Sequence, residues 1–133
     1  MPSGTAGQAS RPTALIASHV PLTCSVSHGP DYAVISVAGE LDASTEQQLR
    51  DKLAAVLSEG ATRVVVDLGG VAFMASAGLG ILMGVRRLLA DSGGVLVLAA
   101  AHGDVAQVLE ITGVSDVIPV APTVPEAVAR LDG

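Results

Sequence analysis

The sequence predicts a single α/β domain built on a mixed, mostly parallel sheet with an opening β-hairpin, in the order β-β-α-β-α-β-α-β-α. Three observations carry that expectation. Two short segments alternate apolar and polar residues, and from Ser44 onward the period becomes helical. Short β-branched runs then alternate with helix-length stretches, as right-handed crossovers between parallel strands require. At 133 residues the chain is long enough for one such core and too short for two.

The elements follow in order. Residues 1–20 are expected to form a disordered N-terminal tail, because Met1 to Thr13 is rich in Ser, Gly, Thr, Pro and Gln and lacks an apolar signal-peptide core. The domain is expected over residues 21–133. Leu22 to Ser27 alternates, His28-Gly29-Pro30-Asp31 supplies turn chemistry, and Tyr32 to Ala38 alternates again, which predicts the hairpin. Leu49, Leu53, Val56 and Leu57 then mark one face of a helix that Ser44 and Gln47 start as a capping box and Gly60 ends. Arg63 to Leu68 is a continuous β-branched run, suited to a central strand buried on both faces or to a half-buried one. A second helix, roughly Ala77 to Ala90, is apolar on most of its surface until Arg86 and Arg87, and Gly93-Gly94 closes it. Val95 to Ala101 is the next strand. Asp104 is placed to cap a short helix carrying Val105, Val108, Leu109 and Thr112, with Gly113 as its left-handed terminator. Val117 to Val120 reads as a short strand. Thr123 and Glu126 form another capping box, with Pro125 in the first turn, ahead of Val128 and Leu131.

Composition removes several function classes. Half the residues are hydrophobic, yet the chain has one Phe, one Tyr and no Trp, so the core is expected from Val, Leu, Ile and Ala. Seven Lys and Arg against 13 Asp and Glu give a net charge of -6, which offers no field for phosphate backbones, and aromatics for base stacking are lacking. Nucleic-acid binding is not expected. No apolar run is long enough to cross a bilayer, so no membrane partner is expected. The single cysteine, Cys24, excludes an internal disulfide, fits a reducing cytoplasm, and reads as a small buried hydrophobe. His19, His28 and His102 show no metal-ligand spacing, so neither a metal nor another cofactor is expected.

Two clusters invite a functional reading. Phe73-Met74-Ala75-Ser76-Ala77-Gly78-Leu79-Gly80 joins the central strand to the most apolar helix, where small residues leave the Ser76 hydroxyl and the first-turn amides accessible to an anion. Ser76 is equally readable as a helix N-cap. A phosphate-binding loop would need a Lys that is absent, and Gly78, Gly80 and Gly84 miss the dinucleotide fingerprint by one residue, so helix packing is expected of them. A nucleophile elbow would need Gly where Met74 stands, and no carboxylate is placed to orient His102 as a base. The second cluster is Gly39-Glu40-Leu41-Asp42, read as the turn between the second strand and the first helix, followed by Ser44 and Thr45. Asp42 reads there as a turn or cap residue.

Taken together and in this element order, the two clusters resemble the signatures of the STAS domain, specifically the small bacterial anti-sigma factor antagonists, over about residues 22 to 131. The resemblance implies a regulator with no catalysis of its own. In such antagonists a kinase-type anti-sigma factor phosphorylates the serine that precedes the x-Gly-Leu-Gly run, which here is Ser76. The unmodified form binds the anti-sigma factor and frees its sigma factor; the phosphorylated form lets go until a serine phosphatase of the PPM type restores it. The resemblance therefore implies partner binding through Asp42, Ser44, Thr45, Ser76, Ala77, Gly78 and Leu79. It also implies a cytoplasmic, partner-switching phosphoprotein in transcription regulation. The chain departs from the pattern at Ala75, where an acidic residue is common, and at Ala77, often Ser or Thr; both positions flank the modified serine. Other readings of the same surface are a STAS adaptor in another assembly, stressosome-like or accessory to a transporter, and a module holding a nucleotide on the helix amides.

Overall fold

A computed structural model describes residues 21–132, so the tail expected over residues 1–20 lies outside the described residues. The opening hairpin is present: β1 (Thr23–His28) pairs antiparallel with β2 (Ala33–Leu41). After α1 (Glu46–Ser58) come β3 (Arg63–Met74), α2 (Ser76–Asp91), β4 (Val95–Ala99) and α3 (Gly103–Ile111). A helical turn α4 (Val114–Val117), a two-residue strand β5 (Val120–Ala121) and α5 (Val124–Arg130) complete the described chain. The five strands follow one another across the sheet in chain order, and every pair after the hairpin is parallel.

The sheet is covered unequally. One face carries the main core, in which Ile35, Val64, Val66 and Leu98 meet Leu49 and Leu53 of α1, Leu82 and Leu89 of α2, and Leu109 of α3. Each fully buried side chain of this size contributes about 1.5–3 kcal/mol. The other face carries a smaller cluster, Val34, Val65, Val97 and Ala99 against Ala127 and Leu131. Val64, Val65, Val66 and Leu68 are all 0% exposed, so β3 is the central strand buried on both faces.

Four local expectations are corrected. The strands run further than composition suggests, with β2 reaching Leu41 and β3 reaching Met74, so Gly39 to Leu41 and Gly69 to Met74 continue strands expected to end at Ala38 and Leu68. The glycines there serve close backbone approach: a Cβ on Gly70 would lie 2.7 Å from the Ala38 Cβ, and one on Gly39 would lie 2.3 Å from the Pro21 carbonyl oxygen. Ser44 and Gln47 form no capping box; α1 begins at Glu46 with Thr45 at its N-cap position, because Ser44 is turned back onto Asp42. Asp104 lies inside the first turn of α3, and His102 occupies the cap position. Finally, Val114 to Val117 is helical, because that spacing sends Val114 (6% exposed) and Ile118 (0%) into the core together, and only Val120 and Ala121 reach β4.

Other signals behave as read. Gly113 takes a left-handed φ of 81° after α3. The Glu126 amide donates to the Thr123 hydroxyl at 3.2 Å, and Pro125 follows in the first turn of α5. Cys24 is half-buried beside the main core, and burial pushes its thiol up against the smaller opposing pull of Lys52.

Candidate functional site

The two clusters, far apart in sequence, meet because β2 and β3 are parallel neighbours that end together. Leu41 pairs with Met74, and the Ala75 amide donates to the Leu41 carbonyl at 2.8 Å. The chain therefore leaves both strands side by side, one exit entering the Asp42 turn and the other entering α2. Gly78 makes the junction tight: a Cβ there would lie 2.7 Å from Leu41 Cδ2 and 3.1 Å from Met74 Cγ. Only glycine lets the first turn of α2 rest on the strand end.

The Asp42 turn is fixed from inside. Asp42 Oδ1 accepts the Ser44 hydroxyl at 2.7 Å and the Ser44 amide at 2.9 Å, an Asx turn. Thr45 is only 3% exposed; its hydroxyl donates to the Glu40 carbonyl at 2.7 Å and accepts the Asp42 amide at 3.0 Å. The Ser44 hydroxyl is the main cause holding the Asp42 carboxyl below its ordinary value of 3.8; burial opposes it, and the Ser44 amide and Thr45 add smaller pulls in the same downward direction. Asp42 thus presents an ionised carboxylate on a preset turn.

At the neighbouring strand exit, Ser76 is the first residue of α2 and is exposed. The N-cap position belongs to Ala75, whose extended backbone (φ -92°, ψ 172°) carries no side chain able to cap, and no acidic residue occupies the first turn. Ser76 is therefore not the N-cap. Among the described residues its hydroxyl has no hydrogen-bond partner. Negative charge here meets the positive end of a 16-residue helix, which favours it by about 0.3–1 kcal/mol.

Of the residues expected at a contact surface, Asp42, Ser44, Ser76, Ala77 and Leu79 reach solvent to differing degrees. Thr45 and Gly78 are buried and lie beneath that surface as its supports. Gly80 and Gly84 face open space, so close packing accounts for Gly78 alone. His102 is committed elsewhere, its Nε2 lying 3.0 Å from the Gly69 carbonyl oxygen. Phe73, 48% exposed beside the site, escapes a reading by composition. Its signal is the break in strand alternation across Val71-Ala72-Phe73-Met74. Among the described residues no group of His, Cys, Asp or Glu could hold a metal ion, and no helix is long and apolar enough to cross a membrane.

Comparison with known proteins returns one fold, seen in anti-sigma factor antagonists and, at 13% identity and a TM-score of 0.67, in a murine anion transporter. The STAS domain model matches residues 24–127. The anti-sigma-B factor antagonist of Listeria monocytogenes is 33% identical over 90 residues, which cover 68% of this chain and 79% of that protein. Among solved structures, an anti-sigma factor antagonist from Mycobacterium paratuberculosis matches with a TM-score of 0.78 and 28% identity, covering 84% of this chain and 95% of that one. The anti-sigma factor antagonist SpoIIAA of Bacillus matches in its unphosphorylated form with a TM-score of 0.71 and 27% identity, over 84% and 97% of the two chains. Its phosphorylated form matches at 0.64 and 26%, over 81% and 98%.

Proposed function

The chain belongs to the STAS domain family, and from that premise we propose that it is a cytoplasmic anti-sigma factor antagonist that works by binding, without chemistry of its own. Its partner is an anti-sigma factor that is also a serine kinase. The unmodified protein occupies that partner and frees a sigma factor. Phosphorylation of the Ser76 hydroxyl ends the complex, and a serine phosphatase of the PPM type restores it. One observation carries the reading: an exposed serine hydroxyl, without a partner among the described residues, at an uncapped helix start stands beside an internally fixed acidic turn. Two relatives add support, since the Listeria protein bears the name of such an antagonist and SpoIIAA is known in phosphorylated and unphosphorylated forms.

The site suits a switch that leaves the fold alone. A phosphate adds a charge of about -1.5 to -2, which the α2 N-terminus accepts, so the domain keeps its stability. The partner meets a new charge where a hydroxyl stood. A hundredfold loss of affinity needs only about 2.8 kcal/mol, within the range of one misplaced charge at an interface. Ala75 and Ala77 leave the flanks of Ser76 without charge or a second hydroxyl, so kinase selection falls to the Asp42 turn.

The test is affinity capture from native lysate with wild-type protein and Ser76→Glu in parallel, with mass spectrometry of prey and bait. Wild type is expected to retain a kinase-type anti-sigma factor and to carry phosphate on Ser76. Ser76→Glu is expected to lose that partner about a hundredfold while its Tm stays within about 2 °C of wild type. Equal retention by both baits, with Ser76 unmodified, would sink the switch.

A further inference from the structure

Phe73 is the only phenylalanine of the chain, and it stands exposed at the end of β3. Strict strand alternation would put it on the same face as Val71, which is buried. Instead Val71 and Met74 both enter the core, three positions apart, and Ala72 and Phe73 between them both face outward. The ladder shows the cause: Gly39 pairs with Val71 and Glu40 with Phe73, which leaves Ala72 without an opposite residue. A bulge of this kind re-aims a side chain, and this one turns the largest apolar group of the segment away from the core.

The ring stands where the two halves of the site are anchored. Its register partner Glu40 is two residues before Asp42, and Phe73 is three residues before Ser76. The surface around it is low. β4 pairs with β3 only as far as Asp67, and the cluster under α5 takes in Val34, Val65 and Val97 but none of the outward residues further along β2 and β3. Those outward neighbours, Ala38, Gly70 and Ala72, are small and exposed.

We propose that Phe73 is the anchor and specificity determinant of the partner surface, seated in an apolar pocket of the anti-sigma factor whose rim carries Lys or Arg. The inference rests on the proposed function and adds to it the chemistry of the partner's face. Aromatic side chains that become fully desolvated at an interface centre carry a large share of binding energy. Two residues on from the ring's register partner, Asp42 carries an ionised carboxylate, and the net charge of the chain is -6, so the complementary pocket has a basic rim. Ser76 sets whether the complex forms and Phe73 sets with which partner, because an anti-sigma factor lacking the pocket meets a ring it cannot bury.

The experiment measures calorimetric affinity for the anti-sigma factor retained by wild-type protein, purified, using wild type, Phe73→Ala, Phe73→Tyr and Ser76→Glu, with Tm for each. Phe73→Ala is expected to bind about thirtyfold more weakly with Tm within about 3 °C of wild type, and Phe73→Tyr to restore affinity to within about threefold. Wild-type affinity in Phe73→Ala overturns the anchor. So does a loss of affinity that follows a comparable loss of Tm and is not rescued by Phe73→Tyr. Ser76→Glu separates the two claims: if it weakens binding while Phe73→Ala does not, the switch stands and the anchor falls. If neither weakens binding, the proposed function falls with it.

Discussion

Asp42 is held ionised mainly by the hydroxyl of a neighbour two residues away, so the acidic turn depends on local bonds. Its folded value lies below 3.8, so folding favours the charged form; that stability is fully present above about pH 4 and is lost as pH falls through the lower folded value. Asp42→Asn is accordingly expected to melt below wild type at neutral pH, with the gap closing as pH falls below the ordinary carboxylate value in a series of thermal melts. Ser76 and Asp42 were legible in the sequence because each sits in a short pattern of its own. The burial of Thr45 and Gly78 was not legible. It is decided by Glu40 and Leu41, whose strand had to be extended by three residues before either contact exists.

Within α2 three glycines that look alike in the sequence do different things. Gly78→Ala pushes a methyl group into Leu41 and is expected to cost about 1–3 kcal/mol, whereas Gly84→Ala points into open space and is expected to stabilise by about 0.5–1 kcal/mol. Urea denaturation of the two variants checks both signs. α1 could be placed from periodicity because Leu49, Leu53 and Val56 repeat at the helical period, and α2 from its long apolar stretch and the closing Gly93-Gly94. The ends of β2 and β3 could not. Gly39 and Gly70 carry turn composition but serve as points of close contact with Pro21 and Ala38, and only the folded neighbours reveal that. Val117 to Val120 misled for a related reason: its β-branched residues read as a strand, whereas Val117 ends a helical turn that the buried pair Val114 and Ile118 decides.

For the molecule as a whole, the unequal covering of the sheet makes its two faces differ in how firmly they are closed. The smaller face depends on α5, and Arg63 at the start of the central strand holds that helix end: Nη1 donates to the Leu131 carbonyl at 3.1 Å, Nη2 pairs with Asp132, and Nε lies 3.5 Å from the Asp31 carboxylate. Arg63→Met is expected to cost about 1 kcal/mol, because the two carboxylates are largely exposed and the carbonyl bond is the part that counts. Hydrogen exchange is expected to quicken over residues 124–130 while β3 keeps its protection. The pairing of β2 with β3 has another consequence. Ala33 meets Val64, roughly thirty residues later in the chain, so the Asp42 turn and the start of α2 are not brought side by side until both strands have left the ribosome and joined. A half-made chain thus lacks the joined surface, and the supply of complete sites follows completed folding rather than translation.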